Sequence, residues 1–362
     1  MKVILVEPKR SKKYHTTYPP LGLLKLAAYH KKRGDVIRLV SGFCDDGYEP
    51  DTIYITSLFT YAWEPVHEVI RFYSKKYKKV KIVVGGVYAT LCPDHLIETF
   101  GDRIEIYKGV MEEVEDILPD YSLVPNWKAS IVFSSRGCIR RCPFCAVPVL
   151  EPVFKPKKSI RHLIYPGHKK VILWDNNILA SPYWEDIFNE LKELNLEVDF
   201  NQGLDARLLS EKIALRLKEL KIPLFRLAYD TNGVKNAVKS AIDKLKEVGI
   251  RGRRILVYCL FNTPGDTPEG FLERIKDLLD WDVVAYPMRF EPLEPCPKNT
   301  YISPNWTAEQ VEMVAKARRV LGYGDAFPPY EGLKKKILDA RNFEEAFRLR
   351  PPKRSQLSGN RN

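Results

Sequence analysis

The chain has 362 residues, 45% of them hydrophobic, and a formal charge of +12, which suits two domains and an appendage with ordinary packed cores. No apolar run approaches the roughly 20 residues of a membrane span, and the opening Met-Lys-Val-Ile-Leu-Val reads as a buried strand rather than a signal peptide. Seven scattered cysteines suit a reducing, cytoplasmic setting, and the lysine runs at 75–81 and 334–336 lack interleaved aromatics, which favours a solvated surface over a nucleic-acid module.

In the first third, short apolar strands are expected at 2–6, 36–40, 52–58 and 81–84, with helices at 25–32, stopped by Gly34, and at 65–77. This alternation predicts a parallel sheet with helices on both faces, whose ligands bind beyond the carboxyl ends of the strands. Three loops then share one rim: 7–20, 59–63 and 85–90. The pair Gly85-Gly86 serves either close approach to a ligand or a tight strand-to-helix turn. Tyr18-Pro-Pro-Leu-Gly-Leu-Leu, a Gly-terminated helix and Ile82-Val-Val-Gly-Gly-Val-Tyr-Ala-Thr90 together resemble a cobalamin-binding-type domain over about residues 1–110. The resemblance implies a flavodoxin-like sheet and leaves cobalamin itself open. The Asp-x-His-x-x-Gly lower-ligand pattern is absent, and His15, His67 and His95 read as surface or loop residues. An acidic helix is expected at 109–120, packing between domains before a proline-marked linker at Pro119 and Pro125.

A strand at 129–134 then delivers Ser134-Ser-Arg-Gly-Cys-Ile-Arg-Arg-Cys-Pro-Phe-Cys145. Cys138, Cys142 and Cys145, spaced C-x3-C-x2-C, can wrap one metal centre. A closed zinc site wants a fourth Cys or His, and a disulfide leaves one thiol over. Further strands are expected at 170–175, 197–201, 224–229, 254–261 and 282–288, each followed by polar residues: Asp175-Asn176-Asn177, Gln202-Gly203, Asp230, Asn262-Thr-Pro-Gly265 and Arg289. Strand-end loops of (β/α) barrels carry catalytic groups in this way.

The motif C-x3-C-x-aromatic-C, with Phe144 as the aromatic, resembles the signature of the radical SAM superfamily. The resemblance implies a partial (β/α)6 barrel over about residues 129–290. It also implies a [4Fe-4S] cluster on the three cysteines, with one iron left for the amino and carboxylate groups of S-adenosylmethionine, whose reductive cleavage gives a 5′-deoxyadenosyl radical. Catalytic and metal-ligating roles fall on Cys138, Cys142 and Cys145. Cosubstrate contacts fall on Phe144, Asp175, Asn176, Gln202, Arg226 and Asp230, with Arg226 balancing Asp230 or reaching the carboxylate. The family's usual Gly-Gly-Glu is not present after the second strand. Each polar residue also has a scaffolding reading, as strand-end cap or ion pair. Arg136 and Arg141 either offset the cluster's charge or face solvent.

The last part opens with a proline-rich connection at 291–299 holding Cys296, a candidate acceptor or second ligand. A capping box at Thr307–Gln310 starts a helix stopped by Gly322-Tyr-Gly324. The aromatic turn at 327–332, two short helices at 331–340 and 342–349 and a polar tail at 351–362 follow. This extension either closes the barrel or covers a sheet edge.

The expected organisation is therefore α/β. A flavodoxin-like, B12-binding-type domain (1–125) precedes a radical SAM core (126–295) and a small helical extension (296–362). The expected activity is that of a radical SAM enzyme, with or without cobalamin-dependent methyl transfer, reduced by a partner such as flavodoxin or ferredoxin. A cobalamin-free RNA-modifying radical SAM enzyme is the alternative, and a non-enzymatic iron–sulfur nucleic-acid-binding protein is the third.

Overall fold

The computed structural model describes residues 1–8, 18–45, 47–321, 326–328 and 331–349. His15, the stop at Gly322-Tyr-Gly324 and the tail at 351–362 lie outside the described residues, as do parts of the 7–20 loop and of the turn at 327–332.

Strand β1 (Lys2–Glu7) is central because Val3, Ile4, Leu5 and Val6 are apolar on both faces, and all four are fully buried. Helix α1 (Leu21–Lys32) returns the chain to β2 (Val36–Ser41), and β3 (Thr52–Ser57) lies on the other side of β1. Helix α2 (Trp63–Lys76), strand β4 (Lys81–Gly86), the short helices α3 (Val87–Leu91) and α4 (Pro93–Phe100) and strand β5 (Glu105–Tyr107) complete the unit. All neighbours are parallel, in the order β2-β1-β3-β4-β5. This is the flavodoxin-like order, with its switch point beside β1. Gly86 ends β4 at φ +106°, and a Cβ there would sit 2.2 Å from the Ser57 carbonyl oxygen, so glycine is required by the approach of β3. The glycine pair thus serves the turn.

The expected acidic helix is only one turn, α5 (Glu112–Glu115). The expected strand at 129–134 ends early as β6 (Ala129–Val132), and the chain then turns into β7 (Ser135–Arg136). Strand β7 pairs antiparallel with β8 (Lys155–Pro156), so the cysteine segment and helix α6 (Val147–Leu150) form an excursion closed at its base. After it come β9 (Lys170–Leu173), α7 (Trp184–Glu193), β10 (Glu197–Phe200), α8 (Glu211–Lys218), β11 (Phe225–Ala228), α9 (Lys235–Glu247), β12 (Ile255–Phe261), α10 (Pro268–Asp280) and β13 (Val284–Arg289). Two parallel sheets result, β6-β9-β10 and β11-β12-β13, which adjoin at a parallel bridge between Glu197 and Lys221.

Strand β12 shows why the site lies where it does. Ile255, Val257, Cys259 and Phe261 are buried among the helices, while Leu256, Tyr258 and Leu260 alternate to the other face. Helix α10 is pinned by Thr267, whose Oγ1 accepts from Gly270 N (3.0 Å), and it covers the helix side with Phe271, Ile275, Leu278 and Leu279.

The C-terminal helices α11 (Ala308–Leu321), α12 (Glu331–Leu338) and α13 (Phe343–Phe347) share this core. The capping box forms reciprocally: Gln310 N donates to Thr307 Oγ1 (3.1 Å) and Thr307 N to Gln310 Oε1 (3.0 Å). Phe327 pairs antiparallel with Ala285 of β13, so the extension covers a sheet edge. No helix among the described residues is long and apolar enough to cross a membrane.

Candidate functional site

The base of the cysteine excursion is fixed by charge. Arg136 donates to both oxygens of Glu115 (2.8 and 2.7 Å) and to Glu151 Oε1 (2.9 Å), and its guanidinium lies over the Phe133 ring at 3.4 Å. Glu151 Oε2 accepts from Gly137 N (2.6 Å) and Asn176 Nδ2 (3.0 Å). Gly137 itself is at φ +73°, and a Cβ there would lie 2.5 Å from the Val153 carbonyl oxygen. Lys25 and Lys157 also reach Glu115, at 3.2 and 3.1 Å. Burial would raise the Glu115 carboxyl, but bonds and charge from Arg136, with Lys25 and Lys157, outweigh it and hold it at about 2. Burial brings Lys25 down to about 8 against the pull of Glu115, and the Arg136 charge adds to that fall. Arg136 is thus a fastener between α5 and the loop, and it does not balance the cysteines; Arg141 is exposed.

Past this clamp, Cys138, Cys142 and Cys145 are free and partly exposed, and Cys145 N donates to the Cys142 carbonyl (3.0 Å). Cys138 Sγ accepts from Arg140 N (3.3 Å) and from Asn177 Nδ2 (3.7 Å). Burial raises the Cys142 and Cys145 thiols, and the other cysteines and Asp230 raise them further. Thiolates held this close on one loop fit a cationic iron–sulfur core, which offsets their charge. Among the described residues no group of three or more His, Cys, Asp or Glu side chains converges to hold a single metal ion.

A second network ties the loop to the end of β10. Asp205 accepts from Asn177 Nδ2 (3.0 Å), Arg140 Nε (3.0 Å) and Arg207 Nε (2.7 Å). Burial opposes its ionisation, but Arg207 and Arg140 outweigh that and hold the carboxyl low. Asn177 is buried, and its Oδ1 has no partner. Asp205, Arg207, Arg140, Glu115 and Glu151 escape the sequence reading, whose only signal was a charged Asp-x-Arg past Gly203 and an acidic run at 112–116.

The alternate face of β11–β13 encloses a cavity of about 550 Å3, lined by Arg226, Tyr258, Tyr286 and Met288 and by Gln202 and Asp230 from the strand-end loops. Burial lifts the Asp230 carboxyl to about 6, although Leu260 N donates to it (3.0 Å). Asp230 is near enough for its charge to raise Cys142 and Cys145, although none of the residues lining the cavity belongs to the cysteine loop.

Gln202, Arg226 and Asp230 therefore come together, and Phe144 lies half-buried in the loop itself. Asp175 does not join them. It is buried and accepts from the hydroxyls of Ser134 and Ser135 (2.7 Å each) and from Ser134 N, which makes it a cap for the end of β6. Asn176 faces Glu151, and Asn177 takes the place beside the sulfur. Arg226 pairs with Asp199 rather than Asp230. Cys296 sits near Glu291 and Glu294, and burial with those charges raises its thiol, contrary to a reactive thiolate. His67 is not a surface residue: it is buried against Tyr88 (Nε2 to Oη 2.8 Å), and Tyr88 in turn meets His95 Nδ1 at 2.6 Å.

A second cavity, of about 290 Å3, lies at the carboxyl ends of the N-terminal strands, between Ser57, Gly85 and Gly86 on one side and Phe133, Arg136 and Trp174 on the other. At about 290 Å3 it is below the roughly 300–1,000 Å3 that drug-sized ligands fill, too small for a corrinoid. Cobalamin added during reconstitution is expected to leave no corrinoid absorption on the protein after gel filtration; a retained stoichiometric corrinoid would contradict this.

No family model matches the chain. A stretch of 111 residues is 28% identical to "Ribosomal protein uS12 methylthiotransferase RimO" of Thermosipho africanus (strain TCF52B), covering 29% of this chain and 25% of that protein. The chain thus spans about a quarter of the length of the curated relative it matches.

Proposed function

We propose that this chain is a radical SAM enzyme. Its flavodoxin-like unit (1–125) would be joined to a partial (β/α)6 core (126–295) and a helical extension (296–362). The observation that carries the reading is three free cysteines on one loop, two of which feel the charge of Asp230, a residue of the cavity that also gathers Gln202 and Arg226. The likeness to a methylthiotransferase supports it at the level of the superfamily only.

Cys138, Cys142 and Cys145 would hold a [4Fe-4S] cluster, with Asn177 donating to the Cys138 sulfur. A cluster held there supplies the electron for reductive cleavage of bound S-adenosylmethionine. The cavity is large enough for that nucleotide. Asp230, ionised above about pH 6, accepts from its ammonium group, and Gln202 offers an amide. Tyr258 and Tyr286 supply apolar wall. The protein so reconstituted and reduced should release 5′-deoxyadenosine from S-adenosylmethionine; a correctly loaded, reduced protein that releases none would overturn the proposal.

Asp230 sets a further expectation. Its folded-state pKa is raised, so the buried charge costs stability as pH rises from the unfolded value through about 6. Asp230→Asn should therefore stabilise the protein at pH 7 by about 1–3 kcal/mol. The same variant should weaken S-adenosylmethionine binding, and wild-type binding should strengthen as pH rises through 6. Calorimetry and equilibrium dialysis read the two effects; loss of stability with unchanged binding would refute the assignment.

A further inference from the structure

We propose that the cleft at the carboxyl ends of β3 and β4 binds a small, neutral, mostly apolar molecule. It lies beyond the carboxyl ends of parallel strands, where such folds take ligands. Its volume, about 290 Å3, is at the small end of ligand sites. The wall is mainly apolar, with Leu21, Leu58, Val83, Val87, Met111 and Trp174.

Most polar groups of the wall already answer one another; the Trp174 indole N–H is buried without a partner and offers a ligand one donor. Ser57 Oγ donates to the Gly85 carbonyl (2.8 Å) and accepts from Ala89 N (3.0 Å). Thr90 Oγ1 donates to the Gly86 carbonyl (2.8 Å) and accepts from Gly109 N (3.0 Å). Lys25 and Arg136 are closed on Glu115, and Arg136 also on Glu151. A charged ligand would have to open a buried ion pair to find a partner, whereas a neutral apolar one gains by leaving water. An adjoining cleft of about 370 Å3 shares Gly109, Val110, Arg136 and Glu151 with this one.

Arg136 and Glu151 are at once cavity wall and the clamp on Gly137, one residue before Cys138. Occupancy of the cleft therefore reaches the cysteine loop, and this part of the inference rests on the radical SAM reading.

The test uses the full chain before any cluster is built. The neutral fluorophore N-phenyl-1-naphthylamine is titrated into it, with the anionic 8-anilinonaphthalene-1-sulfonate for comparison. Expected are saturable binding of one neutral dye per chain and, for the anion, affinity about ten-fold weaker or more. Leu58 lines the cleft yet is 41% exposed, so Leu58→Glu should leave the melting temperature unchanged. It should weaken the neutral dye about ten-fold or more. Non-saturable binding, indifference to Leu58→Glu, or preference for the anion overturns the site. In reconstituted protein, saturating neutral dye should alter the paramagnetic resonance of the reduced cluster, and an identical spectrum overturns the coupling. Should no cluster form, the dye titration still decides the site, so the two readings fail separately.

Discussion

Cys138→Ser, Cys142→Ser and Cys145→Ser should each abolish release of 5′-deoxyadenosine, by about a thousand-fold or more if cleavage needs a cluster on three thiolates, and each should lower the iron bound on reconstitution. Their melting temperatures should hardly move. All three sulfurs are partly exposed and none is in a disulfide, so each change is expected within about 1 kcal/mol of neutral. Cys259→Ser is the control with the opposite pattern. That thiol is completely buried in β12, and a hydroxyl there should cost about 1–3 kcal/mol while iron loading stays intact. Iron analysis and thermal unfolding on the four variants separate the two classes; three destabilised loop variants with normal iron would reverse the assignment.

Glu115→Ala should be the most destabilising single change outside the apolar cores. It removes the carboxylate shared by Lys25, Arg136 and Lys157 and leaves buried Lys25 without a carboxylate and Arg136 with Glu151 alone, at about 3–5 kcal/mol. The pH dependence has a definite sign. The folded pKa of Glu115 is depressed, to about 2 from 4.5, so its contribution is complete above the unfolded value and is lost as pH falls from there toward 2. Lys25 is also depressed, to about 8 from 10.5. Burying its charge therefore costs stability below about 8, and the cost disappears as pH rises toward 10.5. Lys25→Met should accordingly be neutral or stabilising at pH 7, while Glu115→Ala is severe. Denaturant titrations at pH 7 and pH 3 compare them; equal losses for both variants would mean that Lys25, not Arg136, is the main partner of Glu115.

The strand sequence was largely legible, because fully apolar runs such as Val3–Val6 and alternating ones such as Ile255–Phe261 carry their burial in their own residues. The parallel character of the first sheet followed from strands joined by helices, and its flavodoxin-like order only from the family resemblance. The cysteine loop was legible because its chemistry is local. What escaped depends on partners far along the chain. Glu115 meets Arg136, Asn176 meets Glu151, and Asn177 meets Asp205, and none of these pairings leaves a periodic trace. The acidic run at 112–116 read as a helix packing between domains, but nothing in it marked Glu115 as the carboxylate that three cations would bury. Asp175 was a reasonable ligand by position, but a short β6 brings the two serines over it first. His67 looked exposed in isolation and is buried because Trp63, Tyr88, His95 and Phe100 close around it.

The most direct measurement is the electron paramagnetic resonance of the anaerobically reconstituted, reduced protein, recorded with and without S-adenosylmethionine. If Cys138, Cys142 and Cys145 are the only protein ligands of a four-iron cluster, the spectrum should change when the nucleotide is added. Identical spectra, from a protein carrying about four irons and shown by dialysis to bind the nucleotide, would mean that no iron is open to it.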